Sequence, residues 1–395
     1  MDRELAKMYA VGFLFTLMMG TGMPLVPQYL ATDLVATTQF IGFAVALYGI
    51  LQVVLRLPMG NLTDVYGRRM TLVWSFVVSF LGGLFFMLAP DKWWILPGQA
   101  LFGLASGIFW VSANSYVADR AEPTKVARAM SNYTIGMGFG FLLSPPLSGL
   151  LADRFGYRYA FAIFLASSVL ALLILWSMPE TRKGAPRLTT MAAYRKGVKL
   201  LEHPDLTISA LGTFFLALLF GVASAFYPLH VRALGYSAFL VGILLAVREG
   251  TSITSRILLP PLMSRTGPRP ILLVGVAVGA LGVGVTPFLH SYWLLAVFMV
   301  VAGLGIGVMI PANLTLITQA SAPEERGLAM GIYGTALGLG TAASSFGFGL
   351  VGQHYGLPAA FLGAGAASLL GVLVVAALMR RGPARSAAGP PPASR

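Results

Sequence analysis

The chain has 395 residues, of which 57% are hydrophobic and only 10% are charged, whereas soluble domains carry about 25% charged residues. A soluble protein of this length could not bury so much apolar surface in one core. The composition therefore excludes an ordinary soluble fold and predicts a chain that crosses a membrane several times. The absence of cysteine excludes disulfides, thiolate metal sites and cysteine nucleophiles.

Twelve apolar segments follow one another along the chain, and each reaches about the 20 residues that an α-helix needs to cross a bilayer. They are 6–30, 38–62, 70–90, 93–118, 128–151, 158–178, 206–230, 238–262, 270–289, 292–318, 327–351 and 357–379. A transmembrane β-barrel would need alternating polarity, which these segments lack. The sequence predicts an all-α membrane protein with twelve transmembrane helices.

Two polar regions divide this pattern. A basic linker, 179–205, follows the sixth segment, and its middle, 188–201, is predicted to form a short amphipathic helix on the inner membrane face. The tail ends in Gly-Pro-Pro-Pro-Ala-Ser-Arg and is predicted to be disordered. The predicted units are a first six-helix bundle (1–178), the linker (179–205), a second six-helix bundle (206–379) and a cytoplasmic tail (380–395).

The net charge of +13 is explained by topology. If the N-terminus is cytoplasmic and the segments alternate, most of the 27 Lys and Arg residues fall on the cytoplasmic side, as the positive-inside rule requires. We therefore expect a multi-pass protein of the inner cell membrane with both termini in the cytoplasm. The basic excess favours contact with anionic lipid and gives no reason to expect nucleic-acid binding.

The second half of the chain repeats the first at a spacing of roughly 200 residues, which is typical of transporters built from parallel repeats. Matching pairs include Gly42 and Gly242, Arg56 and Arg256, Gly67 and Gly267, Gly138 and Gly338, Gly149 and Gly349, and Gly156 and Gly356. Both halves begin on the same side of the membrane. The repeat predicts two pseudo-symmetric bundles with a substrate site between them near the middle of the membrane.

The loop between the second and third segments reads Gly60-Asn61-Leu62-Thr63-Asp64-Val65-Tyr66-Gly67-Arg68-Arg69. Spacing alone allows an ordinary basic turn as well as a functional loop. The loop resembles the signature Gly-x-Leu-Ala-Asp-x-x-Gly-Arg-Arg of the major facilitator superfamily, with Thr in place of Ala. The segments Ala118–Ser131 and Gly156–Phe161 resemble the same family, so the resemblance extends over nearly the whole chain.

The resemblance implies alternating access, in which the two halves rock around a central site. In the family this loop forms a conformational latch on the cytoplasmic side. Asp64 would meet the start of helix 11, and Arg68 or Arg69 would pair with Asp119 or Glu122. The expected latch residues are Gly60, Asp64, Gly67, Arg68, Arg69, Asp119 and Glu122.

Two departures from the family pattern count against proton antiport. Gln99 stands where helix 4 of proton-driven members often carries Arg, and the helix 5 hinge of antiporters, Gly-Pro-x-x-Gly-Gly, keeps only Pro145 and Gly149. Gly140 precedes them on the same helix. Small residues let helices pack closely in lipid, so Gly140, Pro145 and Gly149 are expected to serve as a hinge or as packing positions.

Glu249 is the only acidic residue well inside a predicted segment, and it follows Arg248 directly. A charge in the bilayer interior costs about 3 kcal/mol even on insertion scales, so it normally faces a cavity or a partner. The proton-coupling candidates are Glu249, Arg248 and Asp33. The alternatives are a structural ion pair for Glu249, with Arg248 beside it and Arg256 two turns along the same helix face, and a solvated loop position for Asp33.

In the family, helices 1, 4, 7 and 10 line the cavity. The candidates on these helices are Thr21, Gln28, Trp110, Asn114, Phe214, Tyr227 and Asn313. Many Met and aromatic residues and one buried acid suit amphipathic solutes. The predicted function is a secondary active transporter for small amphipathic solutes, working by efflux with protons as the candidate coupling ion. The alternative is a carrier of sugars or related metabolites without proton coupling.

Other classes of function fit less well. No charged or carbonyl-lined filter run predicts a channel, and four scattered His residues offer no metal cluster or nucleophile–base set. We therefore expect no enzyme activity, no metal and no cofactor. The expected partners are a small-molecule substrate and membrane lipid, and the resemblance implies a monomer.

Overall fold

The computed structural model describes residues 3–181, 197–258, 260–321 and 325–381. Twelve main helices follow one another in chain order. They are α1 (Arg3–Thr32), α2 (Thr38–Tyr66), α3 (Arg68–Leu88), α4 (Ile95–Arg120), α5 (Val126–Phe155), α6 in two pieces (Tyr157–Ala160 and Ala162–Trp176), α7 (Pro204–Ala233), α8 (Ala238–Leu258), α9 (Pro268–Gly284), α10 (Tyr292–Ala320), α11 (Arg326–Tyr355) and α12 (Leu357–Arg381). A short helix, Pro260–Thr266, lies between α8 and α9.

The predicted all-helical membrane fold is confirmed. Within the described residues, 11 helices are long and apolar enough to cross a membrane, and the apolar stretch 38–54 of α2 is shorter. Most helices extend a few residues beyond the predicted segments, because helical hydrogen bonding continues past the apolar core into the polar loops. The sixth segment is interrupted at Phe161, and the ninth ends in a separate turn of 3-10 helix, Thr286–Phe288, which contains Pro287.

The two halves pack in equivalent ways. In the first half α1 packs on α5, and α4 packs on α2 and α3; in the second half α7 packs on α11, and α10 packs on α8 and α9. The halves meet through α2 with α11, through α5 with α8, and through α1 with α7. The same helix pairs therefore form in both halves, in agreement with the repeat in the sequence.

Four one-residue turns show why the repeated glycines are needed. Gly67, Gly156, Gly267 and Gly356 have φ values of 95°, 93°, 79° and 84°, a region that residues with a Cβ rarely occupy. Each glycine ends one helix and begins the next. We call the end of the bundle with Gly67 and Gly267 the linker end, and the end with Gly156 and Gly356 the far end.

Two predictions fall mainly outside the described residues. The linker helix at 188–201 overlaps them only at 197–201, where residues 197–200 are helical. The tail is described only as far as Arg381, where α12 ends. The boundaries of the four predicted units therefore stay predictions.

Candidate functional site

The far end of the bundle is closed by backbone-to-backbone packing between the halves. Gly149 of α5 lies against the backbone of Ala238, and Gly242 of α8 lies against the carbonyl of Pro145. On the other side of the bundle Gly42 of α2 lies against the backbone of Ser345 in α11. Side chains at these glycines would hold the helices apart, so the absence of a Cβ is what lets the halves meet.

Asp153 of α5 stabilises this closure by hydrogen bonds to the second half. Its Oδ1 accepts a hydrogen bond from the backbone N–H of Ala238 at 2.9 Å, and its Oδ2 accepts one from Phe239 at 2.8 Å. These are the first two N–H groups of α8, which have no partner within their own helix. The next N–H, that of Leu240, bonds the Ser237 hydroxyl at 3.3 Å. A carboxylate of the first half thus caps a helix of the second half.

The sequence analysis missed Asp153, although the sequence carries a signal for it. Gly149-Leu-Leu-Ala-Asp153-Arg-Phe-Gly156 has the spacing of Gly60-Asn-Leu-Thr-Asp64-Val-Tyr-Gly67. The first pattern ends α5 at the far end, and the second ends α2 at the linker end. Gly149 was considered only as a hinge or packing position, so its place in this pattern was overlooked. The far end therefore carries a second copy of the linker-end loop pattern.

At the linker end, the predicted latch residues have several different partners. The Arg68 side chain lies 3.1 Å from Asp119 of α4, whereas Arg69 donates to the carbonyls of Leu175 and Trp176 at the end of α6. Exposed Glu122 pairs with its neighbour Lys125 at 2.7 Å instead. Gly60 and Asp64 belong to α2, and their side chains lie outside the described set.

Glu180 is a second residue that the sequence analysis missed. Its carboxylate accepts hydrogen bonds from the backbone N–H groups of Arg69 and Met70 at 3.0 and 3.1 Å, and so caps the start of α3. Glu180 follows α6 and begins the path into the linker. This contact ties the linker to the loop that is expected to act as a latch.

The departure at Thr63 has a structural explanation. Its hydroxyl lies 3.1 Å from that of Ser112 in α4, which in turn donates to the Thr71 hydroxyl of α3 at 2.8 Å. All three residues are buried. A threonine in place of the family's alanine therefore joins α2, α3 and α4 through a chain of satisfied hydroxyl groups.

The ionisable residues of α8 face different surroundings. Glu249 lies 3.8 Å from Arg256, so the two form a long ion pair within the helix. Arg248 instead places its guanidinium over the ring of Phe220 in α7, 5.9 Å from the ring centroid. Asp33 is exposed at the far end and accepts a hydrogen bond from the Thr32 hydroxyl.

The cavity candidates divide by burial. Thr21, Gln28, Tyr227 and Asn313 are almost fully buried, whereas Trp110, Asn114 and Phe214 are half-buried. Thr21 and Gln28 donate to carbonyls of their own helix, those of Leu17 and Pro24, at 2.8 Å. Asn313 accepts a hydrogen bond from Ser209 at 2.9 Å, but its Nδ2 has no partner. Trp110 meets Phe15 and Phe109 edge-on, and Phe214 meets Phe215 in the same way.

The three hinge or packing candidates all lie at close approaches of α5. Gly140 lies against the Thr16 side chain and the Phe13 carbonyl of α1, whereas Pro145 and Gly149 lie against α8. Helix α5 therefore runs between α1 of its own half and α8 of the other half. The described contacts fit the packing alternative, and a hinge role stays a prediction.

Comparison with known proteins identifies the family. The model described as Major Facilitator Superfamily matches residues 8–206 and 209–394. The chain belongs to the major facilitator superfamily. It is a multi-pass membrane protein and a secondary transporter, and the family is not one of enzymes. The predictions of family, of fold class and of the absence of enzyme activity are confirmed.

Two of the curated relatives carry the same name. The chain is 29% identical over 275 residues to "Multidrug resistance protein MdtG" of Citrobacter koseri, a match that covers 68% of this chain and 67% of that protein. It is 30% identical over the same length, with the same coverage, to the protein of that name from Salmonella paratyphi A.

Solved structures share the fold at low sequence identity. The nucleoside transporter NupG has a TM-score of 0.80 at 13% identity, with 96% of this chain and all of that chain covered. A bacterial homologue of the human lysosomal transporter Spinster, solved in an inward-facing and unoccupied conformation, has a TM-score of 0.73 at 14% identity, with 95% of each chain covered. At this identity the likeness shows the fold alone.

Proposed function

We propose that this protein exports small amphipathic solutes across the cell membrane by alternating access. The observation that carries the proposal is the capping of α8 by Asp153, because a bond between the two halves at one end of a bundle is what an alternating gate requires. The names of the MdtG relatives support efflux. The positive-inside rule supports a cytoplasmic linker end and an outward far end.

The two copies of the loop pattern suggest how the gate alternates. Asp153 caps α8 while the far end is closed. Asp64 holds the same place in the pattern at the linker end, and the resemblance gives it the start of α11 as its partner. We propose that the two acids act in turn, so that one cap forms as the other breaks. The protein then alternates between two states because each state has its own capped helix.

Glu249 is the residue that we propose for coupling transport to protons. Arg256 lies 3.8 Å from Glu249, so the carboxylate has a cationic partner on its own helix. Glu249 is nonetheless only partly exposed, at 14% of its side chain, and it is the one acid within the spans. In this proposal the carboxylate takes up a proton when the pair of Glu249 and Arg256 separates.

The test uses purified protein in proteoliposomes that contain a pH-sensitive dye. A gradient of each member of a panel of amphipathic cations, neutral drugs and sugars is imposed on wild type and on Glu249→Gln. Substrate-driven proton movement that is lost in Glu249→Gln, while Glu202→Gln behaves as wild type, would assign the coupling to Glu249. Glu202 is an exposed acid on the linker side and serves as the matched control. Substrate flux without proton movement would reject antiport and leave Glu249 as a structural ion pair.

One observation favours a carrier of sugars or related metabolites as the second candidate. The buried Nδ2 of Asn313 has no partner, and Asn114 is half-buried in α4; carboxamides of this kind bind hydroxyl-rich solutes. If this candidate is correct, Asn114→Ala and Asn313→Ala will each lower sugar binding by about tenfold or more, measured by equilibrium binding of radiolabelled sugars. Unchanged binding in both variants, or no sugar binding by wild type, would reject it.

A further inference from the structure

The two halves meet along two seams, one formed by α2 with α11 and the other by α8 with α5. The seams are matching parts of the repeat, because α2 and α8 hold equivalent places in the two halves, as do α5 and α11. At the far end both seams bring backbones together. A Cβ at Gly42 would lie 3.1 Å from the Cα of Gly349, and a Cβ at Gly242 would lie 2.6 Å from the Cα of Pro146. Backbones in such contact cannot tilt against each other without separating.

Nearer the middle of each seam, a side chain in a hole replaces the contact between backbones. Val53 of α2 lies against Gly338 of α11, where an added Cβ would overlap the Cγ2 atom of Val53. Ile253 of α8 lies against Gly138 of α5, where an added Cβ would lie 3.0 Å from the Cδ1 atom of Ile253. A glycine leaves a hole in the surface of its helix, and a side chain of the facing helix can fill it. In both seams a knob of one half therefore fills a hole of the other half.

The two knob-and-hole contacts are equivalent under the internal repeat. Val53 matches Ile253, and Gly138 matches Gly338. Val53 lies in the middle of α2, and Gly338 lies near the middle of α11. At a rise of 1.5 Å per residue, Val53 is roughly 20 Å from the far-end start of its helix. The two contacts therefore lie at the depth of the membrane interior, on opposite sides of the bundle.

This placement is the one that a rocking motion needs. When one rigid body rocks on another, contacts on the axis of rotation persist, whereas contacts away from the axis open and close. Two matching contacts, one in each seam, define a line across the bundle. A branched side chain seated in a shallow hole allows the two helices to tilt and still touch. The touching backbones at the far end do not allow this.

We propose that Val53 in the Gly338 hole and Ile253 in the Gly138 hole form the pivot on which the two halves rock. Both contacts persist while the far end and the linker end open in turn. The inference rests on the alternating access proposed above and adds the residues that fix its axis. Because the halves stay joined at mid-membrane, opening one end closes the other, and the two ends do not open together.

The fit of knob and hole is tested by changing both sides of one contact. Gly338→Ala places a methyl group against Val53, whose branched side chain is stiff at χ1, so solute flux should fall by about tenfold or more. Adding Val53→Ala to Gly338→Ala should restore most of the flux, because it removes the overlapping methyl groups. Gly138→Ala is the matched comparison and should cost less, since the Cδ1 atom of Ile253 is the flexible end of its side chain. Normal flux in Gly338→Ala would overturn the proposal.

A disulfide then distinguishes a pivot from a gate, because the chain has no cysteine of its own. In the pivot pair, Val53→Cys with Gly338→Cys, the two Cβ atoms would lie 3.4 Å apart, close to the roughly 3.5–4.5 Å of disulfides. The far-end pair, Thr38→Cys with Gly352→Cys, joins the same two helices where a Cβ at Gly352 would lie 3.1 Å from the Cγ2 atom of Thr38. Oxidation of the pivot pair should leave flux unchanged, whereas oxidation of the far-end pair should stop flux until a reductant is added. Reversible loss of flux in the oxidised pivot pair would overturn the proposal, because the contact would then have to open during transport.

Hydrogen exchange separates this inference from the proposed function, because it needs no solute. The backbone N–H groups of Ala238 and Phe239 are bonded to Asp153 while the far end is closed, so their exchange reports opening of that end. Oxidation of the pivot pair should leave this exchange unchanged, and oxidation of the far-end pair should slow it. If the reduced proteins move no solute of the panel, the transport proposal fails. Exchange that is unchanged by the pivot disulfide would then still support the pivot, and slowed exchange would reject it.

Discussion

Asp153→Ala is expected to shift the conformational equilibrium about fivefold to tenfold away from the state that is closed at the far end. Loss of an Asp helix cap costs about 1 kcal/mol, and loss of a negative charge at a helix N-terminus costs up to about 1 kcal/mol at exposed sites. Asp153 is exposed to solvent, which keeps the cost near the lower end of these values. Because the cap joins two halves, its loss acts on closure and leaves each half intact.

The absence of cysteine makes this shift directly measurable. Cysteines introduced at Val35 and His290, which are exposed on the far-end loops of the first and second halves, can carry spin labels for distance measurement by double electron–electron resonance. Asp153→Ala should enlarge the population with long distances. Asp91→Asn is the matched control, because Asp91 is an exposed far-end acid that caps Trp93 within its own half at 2.8 Å. An unchanged distribution in Asp153→Ala would show that the cap does not hold the gate.

Gly242→Val is expected to have a still larger effect by preventing far-end closure. A Cβ at Gly242 would lie 2.5 Å from the carbonyl carbon of Pro145 and 2.6 Å from the Cα of Pro146. Both are backbone atoms that cannot move aside as a flexible side chain can, and overpacking of this kind typically costs about 1–3 kcal/mol. Since the clash lies between α5 and α8, the halves can relieve it by separating. Solute flux should fall by about tenfold or more at such a cost, while the protein still folds.

Gly250→Ala on the same helix is the control for Gly242→Val. A Cβ at Gly250 would meet only the Cδ1 atom of Leu142, at 3.6 Å, which is an ordinary contact. The two variants are compared by flux in proteoliposomes, by gel filtration and by the same pair of spin labels. Normal flux in Gly242→Val would mean that α5 and α8 need not touch during transport. Aggregation of Gly242→Val alone would mean that this contact is required for folding and not only for closure.

The number and order of the helices could be predicted because they depend on local properties of the chain. An apolar run of sufficient length must form a helix in lipid, since every backbone polar group has to be bonded within the segment. The turns at Gly67 and Gly267 could be anticipated from the repeat, because their backbone conformation favours glycine. The sixth segment was less predictable, because its break at Phe161 leaves no mark in its hydropathy.

The partners of the polar residues could not be predicted in the same way. Asp153 and Glu180 cap helices that are 85 and 111 residues away, and hydropathy carries no information about such distances. The sequence also does not show in which direction the cavity candidates point. A helix with apolar residues on all its faces has no polar face that would indicate its orientation. Thus Asn313 and Tyr227 are buried, while Asn114 and Trp110 are half-buried, although all four lie in apolar segments.

The sequence by itself determined the membrane class, the helical spans, the internal repeat and the family, because these follow from composition, segment length and short motifs. Only the tertiary structure decided which end of the bundle is closed, which acid stabilises that closure and which arginine of α8 pairs with Glu249. Those properties depend on how helices from different parts of the chain meet. Glu249 and Arg248 are adjacent in sequence, yet one pairs with Arg256 and the other lies over Phe220, because consecutive residues of a helix point about 100° apart.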